Sequence, residues 1–454
     1  MDASDIFLMG CGAGFSGDRV DAPISVVDCI ARSGRPGAIM FETLAERTLA
    51  LGQVARRADP TQGYEPLLAE LVGPVLPACI HAGIPIVGNF GAANPSAAAA
   101  LLRRLAREAG LSDVRIAVVH GDDIRDTIRL ADLDVWEGDA GLRGNTDELV
   151  AANVYLGARP IADALLAGAQ VVVTGRVADP ALALGPLAAH FGWGWEDWDR
   201  LAAGTLVGHL LECGSQVTGG YFADPGYKEV PRPEVIGFPI AEVSADGGFV
   251  VTKAPGTGGL VSKRTVTEQV LYEMHDPAAY LTPDVTLDVT AIQLEQAGPD
   301  RVRVTGARGH GMPPSLKATV SFEGDWLGEA EISYAGPNAL ARARLAADVI
   351  AKRIALRGLA VRHRLDLIGA LSVFDSDTGS LAAEAGELAE VRMRLAVSAA
   401  DRRPVEQSLQ EVLALLCCGP AAGGGMRSQV RNRVRTVSYL VPRNMVSPGV
   451  EFAA

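Results

Sequence analysis

From residue 5 to about residue 230, short β-branched and apolar runs alternate with alanine- and leucine-rich stretches of helical periodicity. The runs are "IFLM" (6–9), "GAIMF" (37–41), "IPIVGNF" (84–90), "RIAVVHG" (115–121) and "QVVVTG" (170–175). Such alternation predicts parallel strands linked by helices, an α/β class with a mainly parallel sheet flanked by helices. The helix starts are chemically marked. Asn94-Pro95 places a capping residue and a proline ahead of "SAAAALLRRLAREAG", Asp179-Pro180 repeats the device ahead of "ALALGPLAAHFG", and Pro23 marks another start. Each strand ends in a polar loop, and in an open parallel sheet those loops gather along one edge, where ligands bind.

After about residue 235 the pattern changes to paired strands with turn residues between them. The expected turns are Asp246-Gly247-Gly248, Gly298-Pro299-Asp300 and Glu323-Gly324-Asp325. A helix follows from about Asn338 to Leu356. The tail offers a strand in "AEVRMRLAVSA", a helix in "RPVEQSLQEVLALLCC", a glycine-rich flexible loop in "CCGPAAGGGMRSQVR" and a closing strand in "RTVSYLVPRNMV", a small βαβ-like C-terminal cap. The expected organisation is an α/β domain over 1–232, an antiparallel β-rich region plus helix over 233–360, and a small α+β region over 361–454.

Composition narrows the function classes. Lys and Arg total 41 against 54 Asp and Glu, a formal charge of -13, so the surface as a whole repels nucleic acid and anionic membranes. No run reaches the ~18 apolar residues of a membrane-spanning helix. The opening "MDASDIF" lacks the basic region of a secretory signal. Six cysteines without CxxC spacing read as reduced thiols, so a cytoplasmic protein is expected, with neither a metal site nor a disulfide framework.

The candidate chemistry lies at the strand ends. "LMGCGAGFSGDR" holds Gly12-Ala13-Gly14-Phe15-Ser16-Gly17, a literal GxGxxG after a strand, and Glu42 ends the next strand, the outline of a dinucleotide site. The chain then continues "DRVDAP" rather than opening directly into a helix, and Asp18 stands where a diphosphate would be repelled. A second reading keeps the amides of Gly12, Gly14 and Gly17, with Ser16, Asp18 and Arg19, as a nest for a carboxylate, phosphate or thioester oxygen; a third is a plain structural turn. Asn89 and Asn94 flank a small-residue turn. Asp122 and Asp123 form an acid pair without the further oxygens that magnesium needs. Arg176 is placed to clamp an anion, and Asp179 reads first as a helix cap. Lys253 and Thr257, with Gly258 and Gly259, suit a phosphate without forming a P-loop.

If residues 204–213 are helical, His209, Glu212 and Cys213 share one face at i, i+3 and i+4. A helix C-terminus raises a thiol pKa, and Cys213 reads first as a small core residue. Glu212, set between "LL" and "CG", is the preferred proton carrier together with His209.

The stretches "GCGAGFSGDR", "FETLAERTLA", "GAANP", "EGDA", "ANVYLGARPI", "VVTGRVADPAL", "LLECGSQVTGGYFADPGYKEV" and "TKAPGTGGLVS" together resemble the acyclic terpene utilisation protein A family, from residue 5 to about 446. The matching positions include Gly12, Gly14, Gly17, Asp18, Arg19, Glu46, Arg47, Arg176, Ala178, Asp179, Pro180, Glu212, Cys213, Gly214 and Thr218. Cys417-Cys418 departs from the pair, such as Thr-Asn, expected before that Gly-Pro. The resemblance implies a place in the bacterial breakdown of citronellol, geraniol and related branched acids through CoA thioesters, and carries no assignment of catalytic residues. The leading expectation is an enzyme moving protons next to the carbonyl of a small acid or acyl-CoA, of hydratase or lyase type. Catalytic Glu212, His209, Cys213, Arg176 and Asp179 would then act with substrate-binding Gly12, Gly14, Ser16, Gly17, Asp18, Arg19, Asn89, Asn94, Lys253 and Thr257. No cofactor is expected beyond CoA as part of the substrate, and a homo-oligomer or a pathway-enzyme partner fits. The alternatives are a non-catalytic subunit or scaffold of an acyl-CoA carboxylase or pathway complex, and a nicotinamide-dependent oxidoreductase.

Overall fold

The computed structural model describes residues 6–127, 129–138, 149–373 and 386–453. Asp139 and Ala140 of the "EGDA" stretch lie outside the described residues. The chain forms two compact units, Met1–Ser321 with Thr436–Ala454, and Phe322–Arg435.

In the first unit the strands are β1 (Ile6–Ala13), β2 (Gly37–Phe41), β3 (Ile86–Gly88), β4 (Ile116–His120), β5 (Asp134–Glu137), β6 (Leu149–Val154), β7 (Val171–Thr174), β8 (Pro239–Ser244) and β9 (Phe249–Lys253). A ten-stranded sheet runs in the order Gln293–Gly298, Arg301–Thr305, β9, β8, β1, β2, β3, β7, β4, Gly449–Phe452. Its centre is parallel, with Leu8 opposite Gly37, Ile39 opposite Ile86, Val87 opposite Val172 and Val118 opposite Val173. The strands of this centre carry almost wholly buried runs, as expected when both faces are covered. β5 and β6 lie outside this sheet, and the sequence pattern predicts neither.

Of the antiparallel strands expected after residue 235, β8, β9, Gln293–Gly298 and Arg301–Thr305 extend this same sheet, whereas Tyr280–Leu281, Thr286–Asp288 and Arg308–His310 form a three-stranded sheet of their own. β8 pairs with β1, Leu8 opposite Glu242, and β9 folds back on β8 through the Asp246–Gly248 turn. Asn94 caps the helix Pro95–Glu108, its Oδ1 accepting from Ala97 N. The cap expected of Asp179 is not made. Pro180 occupies the cap position of the helix Ala181–Phe191, and the Asp179 side chain turns to Arg176 instead. The parallel strands deliver their carboxyl ends, Ala13, Phe41, Gly88 and Thr174, to one edge.

The second unit is an antiparallel sheet with helices on one face. Glu390–Ala399 lies between Arg362–Ile368 and Ser315–Ala335, and the helices Ala339–Leu356 and Arg402–Cys418 cover Ile332, Tyr334, Met393 and Leu395. On strands of alternating pattern the opposite face carries Arg392 and Arg394, paired with Glu331, Glu329 and Asp366. One turn expected here is absent. Ser315–Ala335 runs straight through Glu323-Gly324-Asp325 as one strand of 21 residues, because Gly324 meets the Arg433 carbonyl, 2.8 Å from where a Cβ would stand. The glycines expected as a flexible loop open the strand Gly423–Pro442.

A glycine also fixes the approach of β1 to the rest of its edge. A Cβ on Gly14 would lie 2.3 Å from Gly214 N and 2.4 Å from the Cys213 carbonyl carbon, so the two backbones touch. Gly14→Ala should therefore destabilise the protein by about 1–3 kcal/mol, the range for an overpacked site, read as a lower urea midpoint; unchanged stability would refute this contact.

Candidate functional site

Four segments meet at the carboxyl edge of the parallel strands. The first is the turn after β1. Asp18 folds back on it, taking the Gly14 amide on Oδ2 at 2.8 Å and the Arg19 amide on Oδ1 at 2.8 Å. The anion-receptive Gly14 amide is thus filled by the chain's own carboxylate and is not offered to a pyrophosphate. Ser16 hydrogen bonds to Glu65, and Arg19 donates to the carbonyls of Glu234 and Pro233. Asp18 and Arg19 line a cleft of about 190 Å³ together with Ser215, Tyr221, Ile236 and Phe238.

The second segment follows β2. Glu42 is 8% exposed, and its amide donates to Ala13 O at 2.9 Å. Its Oε1 accepts from Asn89 Nδ2 at 2.9 Å and Leu44 N at 2.8 Å. Asn89 is held in turn by Thr43 N on Oδ1, at 2.7 Å. Burial, and then the Asp179 charge, raise the Glu42 carboxyl to about 8, against the pull of Arg176.

The third segment follows β7. Arg176 is 1% exposed, and its guanidinium donates to Asp179 Oδ1, Leu44 O and Val177 O while stacking 4.2 Å from the Tyr155 ring centre. Its amide donates to Asp122, itself held by Asn153. Although burial opposes the Glu46 charge, the Tyr155 hydroxyl and Arg176 hold that carboxyl down to about 2. Burial outweighs Arg176 at Asp179 and raises its carboxyl, whose side chain remains 35% exposed.

The fourth segment is the end of the helix Trp198–Leu211, where Glu212 occupies the cap. Hydrogen-bond accounting fixes the proton between it and His209. His209 Nε2 faces Val270 O at 3.1 Å, a carbonyl that only accepts, so this nitrogen carries a hydrogen. His209 Nδ1 meets Glu212 Oε1 at 3.0 Å, and that contact needs one shared proton. Glu212 Oε2 is buried with no partner. Burial, reinforced by Asp179 and Glu273 and opposed by His209, raises the Glu212 carboxyl to about 7. His209 is pushed down by burial but is raised overall by Glu212 and the backbone. The Tyr280 ring lies 5.3 Å from the imidazole. Cys213 is partly exposed, and burial followed by the Glu212 charge raises its thiol, which therefore stays protonated and poorly nucleophilic.

Of the residues singled out in the sequence, Gly14, Asn89, Arg176, Asp179, His209, Glu212 and Cys213 thus belong to one linked set. Arg176 gives three side-chain hydrogen bonds to protein acceptors and ties the segments of this edge together. Asn94 is consumed by its helix and by the carbonyls of Pro60 and Gln62. Lys253 donates to Thr257 O and pairs with Asp300, both at 3.1 Å, and the Thr257 hydroxyl donates to Ala254 O. Sequence reasoning missed Glu42 as a proton carrier, and missed Tyr155 and Tyr280; only the place of Glu42 at a strand end signalled it. Among the described residues, no group of three or more His, Cys, Asp and Glu is arranged to hold a metal ion.

Arg176→Met should strand Asp179 without its cation, leave Glu46 with Lys317 alone, and cost roughly 3–5 kcal/mol near neutral pH. The deficit should shrink on acidification as these carboxylates take up protons, which urea unfolding at several pH values will show. Glu42 shifts the balance the other way. Its folded carboxyl is raised from 4.5 to about 8, so the stability it contributes is full below about 4.5 and is lost as pH rises to about 8. Glu42→Gln should flatten that decline, and equal slopes in both proteins would contradict the shift.

A profile of the family described as "Acyclic terpene utilisation family protein AtuA" matches residues 7–452. A comparison with curated proteins found no match. Among solved structures, the de novo designed protein Foldit4 aligns over 24% of this chain and 97% of its own at 12% identity, with a TM-score of 0.16, too low to carry an argument. No helix among the described residues is long and apolar enough to cross a membrane. The family match spans both compact units and every segment of the acid-lined edge, and the chain belongs to the acyclic terpene utilisation family AtuA.

Proposed function

We propose that this protein is a cytoplasmic enzyme of acyclic terpene or branched-acid breakdown that acts on a carboxylate or acyl-CoA by proton transfer next to the carbonyl, as a hydratase or lyase. Family membership supports the pathway. The observation that carries the chemistry is the His209–Glu212 pair, which holds one shared proton at Oε1 while Oε2 is buried and bare. As Oε2 takes a proton from the carbon beside the carbonyl, the Oε1 proton passes to His209 Nδ1, so the base never accumulates two protons. In the reverse direction the same pair donates. His209, fully buried with both ring nitrogens engaged, is a positioning residue and proton store. Asp179 and Cys213 are the partly exposed members of the set.

Dehydration of a 3-hydroxyacyl thioester then balances simply: one proton leaves the carbon next to the carbonyl, the hydroxyl leaves after gaining one, and water and the unsaturated thioester result. The test is incubation with branched unsaturated and 3-hydroxy acyl-CoAs, followed by mass spectrometry. Glu212→Gln should lower turnover by about 10²–10⁴-fold, the usual worth of a positioned base. In the wild type the rate should rise with pH through about 7, where the His209–Glu212 pair passes from two protons to the single one that it shares. Unchanged turnover in Glu212→Gln would place the chemistry elsewhere.

A further inference from the structure

Dehydration needs an acid as well as a base, and the same edge holds a candidate that the family resemblance leaves unassigned. We infer that Glu42 is the second reacting carboxyl, the acid that protonates the departing hydroxyl while Glu212 takes the proton from carbon; this rests on the reading above.

The argument begins with backbone connections. Glu42 N donates to Ala13 O, and the next residue, Gly14, packs directly on Cys213–Gly214, so a chain of contacts joins Glu42 to the Glu212 turn through one pair of residues. A second route runs from Leu44 O to the Arg176 guanidinium and on to Asp179. The two carboxyls also share electrostatic neighbours. Asp179 acts on both Glu42 and Glu212, and both act on the Cys213 thiol. Cys213 therefore lies within the field of both acids and is itself partly exposed.

The hydrogen bonds around Glu42 decide where its proton sits. Asn89 Nδ2 and Leu44 N both donate to Oε1, which makes that oxygen an acceptor and leaves the proton to Oε2. Glu212 likewise commits its Oε1, there to His209. Each acid is thus anchored by one oxygen and works with the other. The charged and titratable groups facing Glu42 are Asp179, Arg176, Cys11 and Cys213. Burial leads in raising its carboxyl to about 8, so the proton is present at neutral pH. Charge balances over the cycle: Glu212 with His209 gains one proton, Glu42 loses one, and solvent returns them to the starting state.

Two measurements test this. The first needs no substrate. The difference infrared spectrum of wild type against Glu42→Gln at neutral pH should show loss of the carbonyl stretch of a protonated carboxyl, and its absence would mean that Glu42 is ionised and overturn the inference. The second uses branched 3-hydroxyacyl-CoAs in heavy water, following hydrogen exchange beside the carbonyl separately from loss of water. Glu42→Gln should keep the exchange and lose dehydration by about 10²–10⁴-fold, whereas Glu212→Gln should lose both. Dehydration by Glu42→Gln at the wild-type rate sinks the role of Glu42 alone. A wild-type protein that neither exchanges nor dehydrates any member of the series sinks the proposed function and this inference together. Should Glu42→Gln fail to fold, Asn89→Ala removes a donor from Oε1 and should likewise slow dehydration while sparing exchange; an Asn89→Ala protein that dehydrates normally would count against the assignment.

Discussion

A guanidinium sealed from water sets the terms for the whole carboxyl edge. An isolated interior charge costs far more than a domain's net stability, so Arg176 must find its partners within the protein. It finds them on three different segments: the Leu44 carbonyl after β2, Val177 and Asp179 after β7, and the face of Tyr155 after β6. Satisfying one cation therefore staples loops that the sheet alone would leave free. Asp122, at the end of β4, holds the Arg176 amide and fixes the origin of that staple.

The same edge carries more acid than Arg176 can answer, and position decides which acids stay charged. Glu46 receives the Tyr155 hydroxyl and the nearby Lys317 as well as the field of Arg176, and these outweigh its burial. Glu42 and Glu212 lie where burial and the Asp179 charge prevail, and both hold protons near neutrality. Environment rather than residue type thus sorts carboxyls into those that support a cation and those that carry protons. Such a divergence among neighbouring acids is what acid–base chemistry at neutral pH requires.

How far this was legible in the sequence follows from how local each signal is. The parallel strands are readable because β-branched runs stand between glycine and proline, and the β8–β9 hairpin because Asp-Gly-Gly admits its turn. Gly324 misleads for a physical reason: a glycine at a turn and a glycine under a neighbouring strand's carbonyl look identical in one dimension. Asp179 misleads similarly, since a helix cap and an ion pair with Arg176 on the preceding turn both require the same side chain at the same place. His209 and Glu212 could be paired from helical spacing alone. Glu42 could not, because its neighbours come from β1, β3 and β7, and no local pattern records that packing.

The glycine turn after β1 shows how one motif can serve opposite physics. In a dinucleotide site the glycines bare their amides to a diphosphate. Here Asp18 takes the Gly14 and Arg19 amides, so an incoming phosphate would meet a filled acceptor position and a like charge. What the small residues provide instead is proximity. Without a Cβ, Gly14 lets β1 press on Gly214, and the end of the parallel sheet then lies against the helix that bears Glu212. Because Glu42 is bonded to the residue just before Gly14, that close approach also holds the two proton-bearing acids in the same neighbourhood. The turn therefore serves packing: it joins the ends of β1 and β2 to the helix end at Glu212.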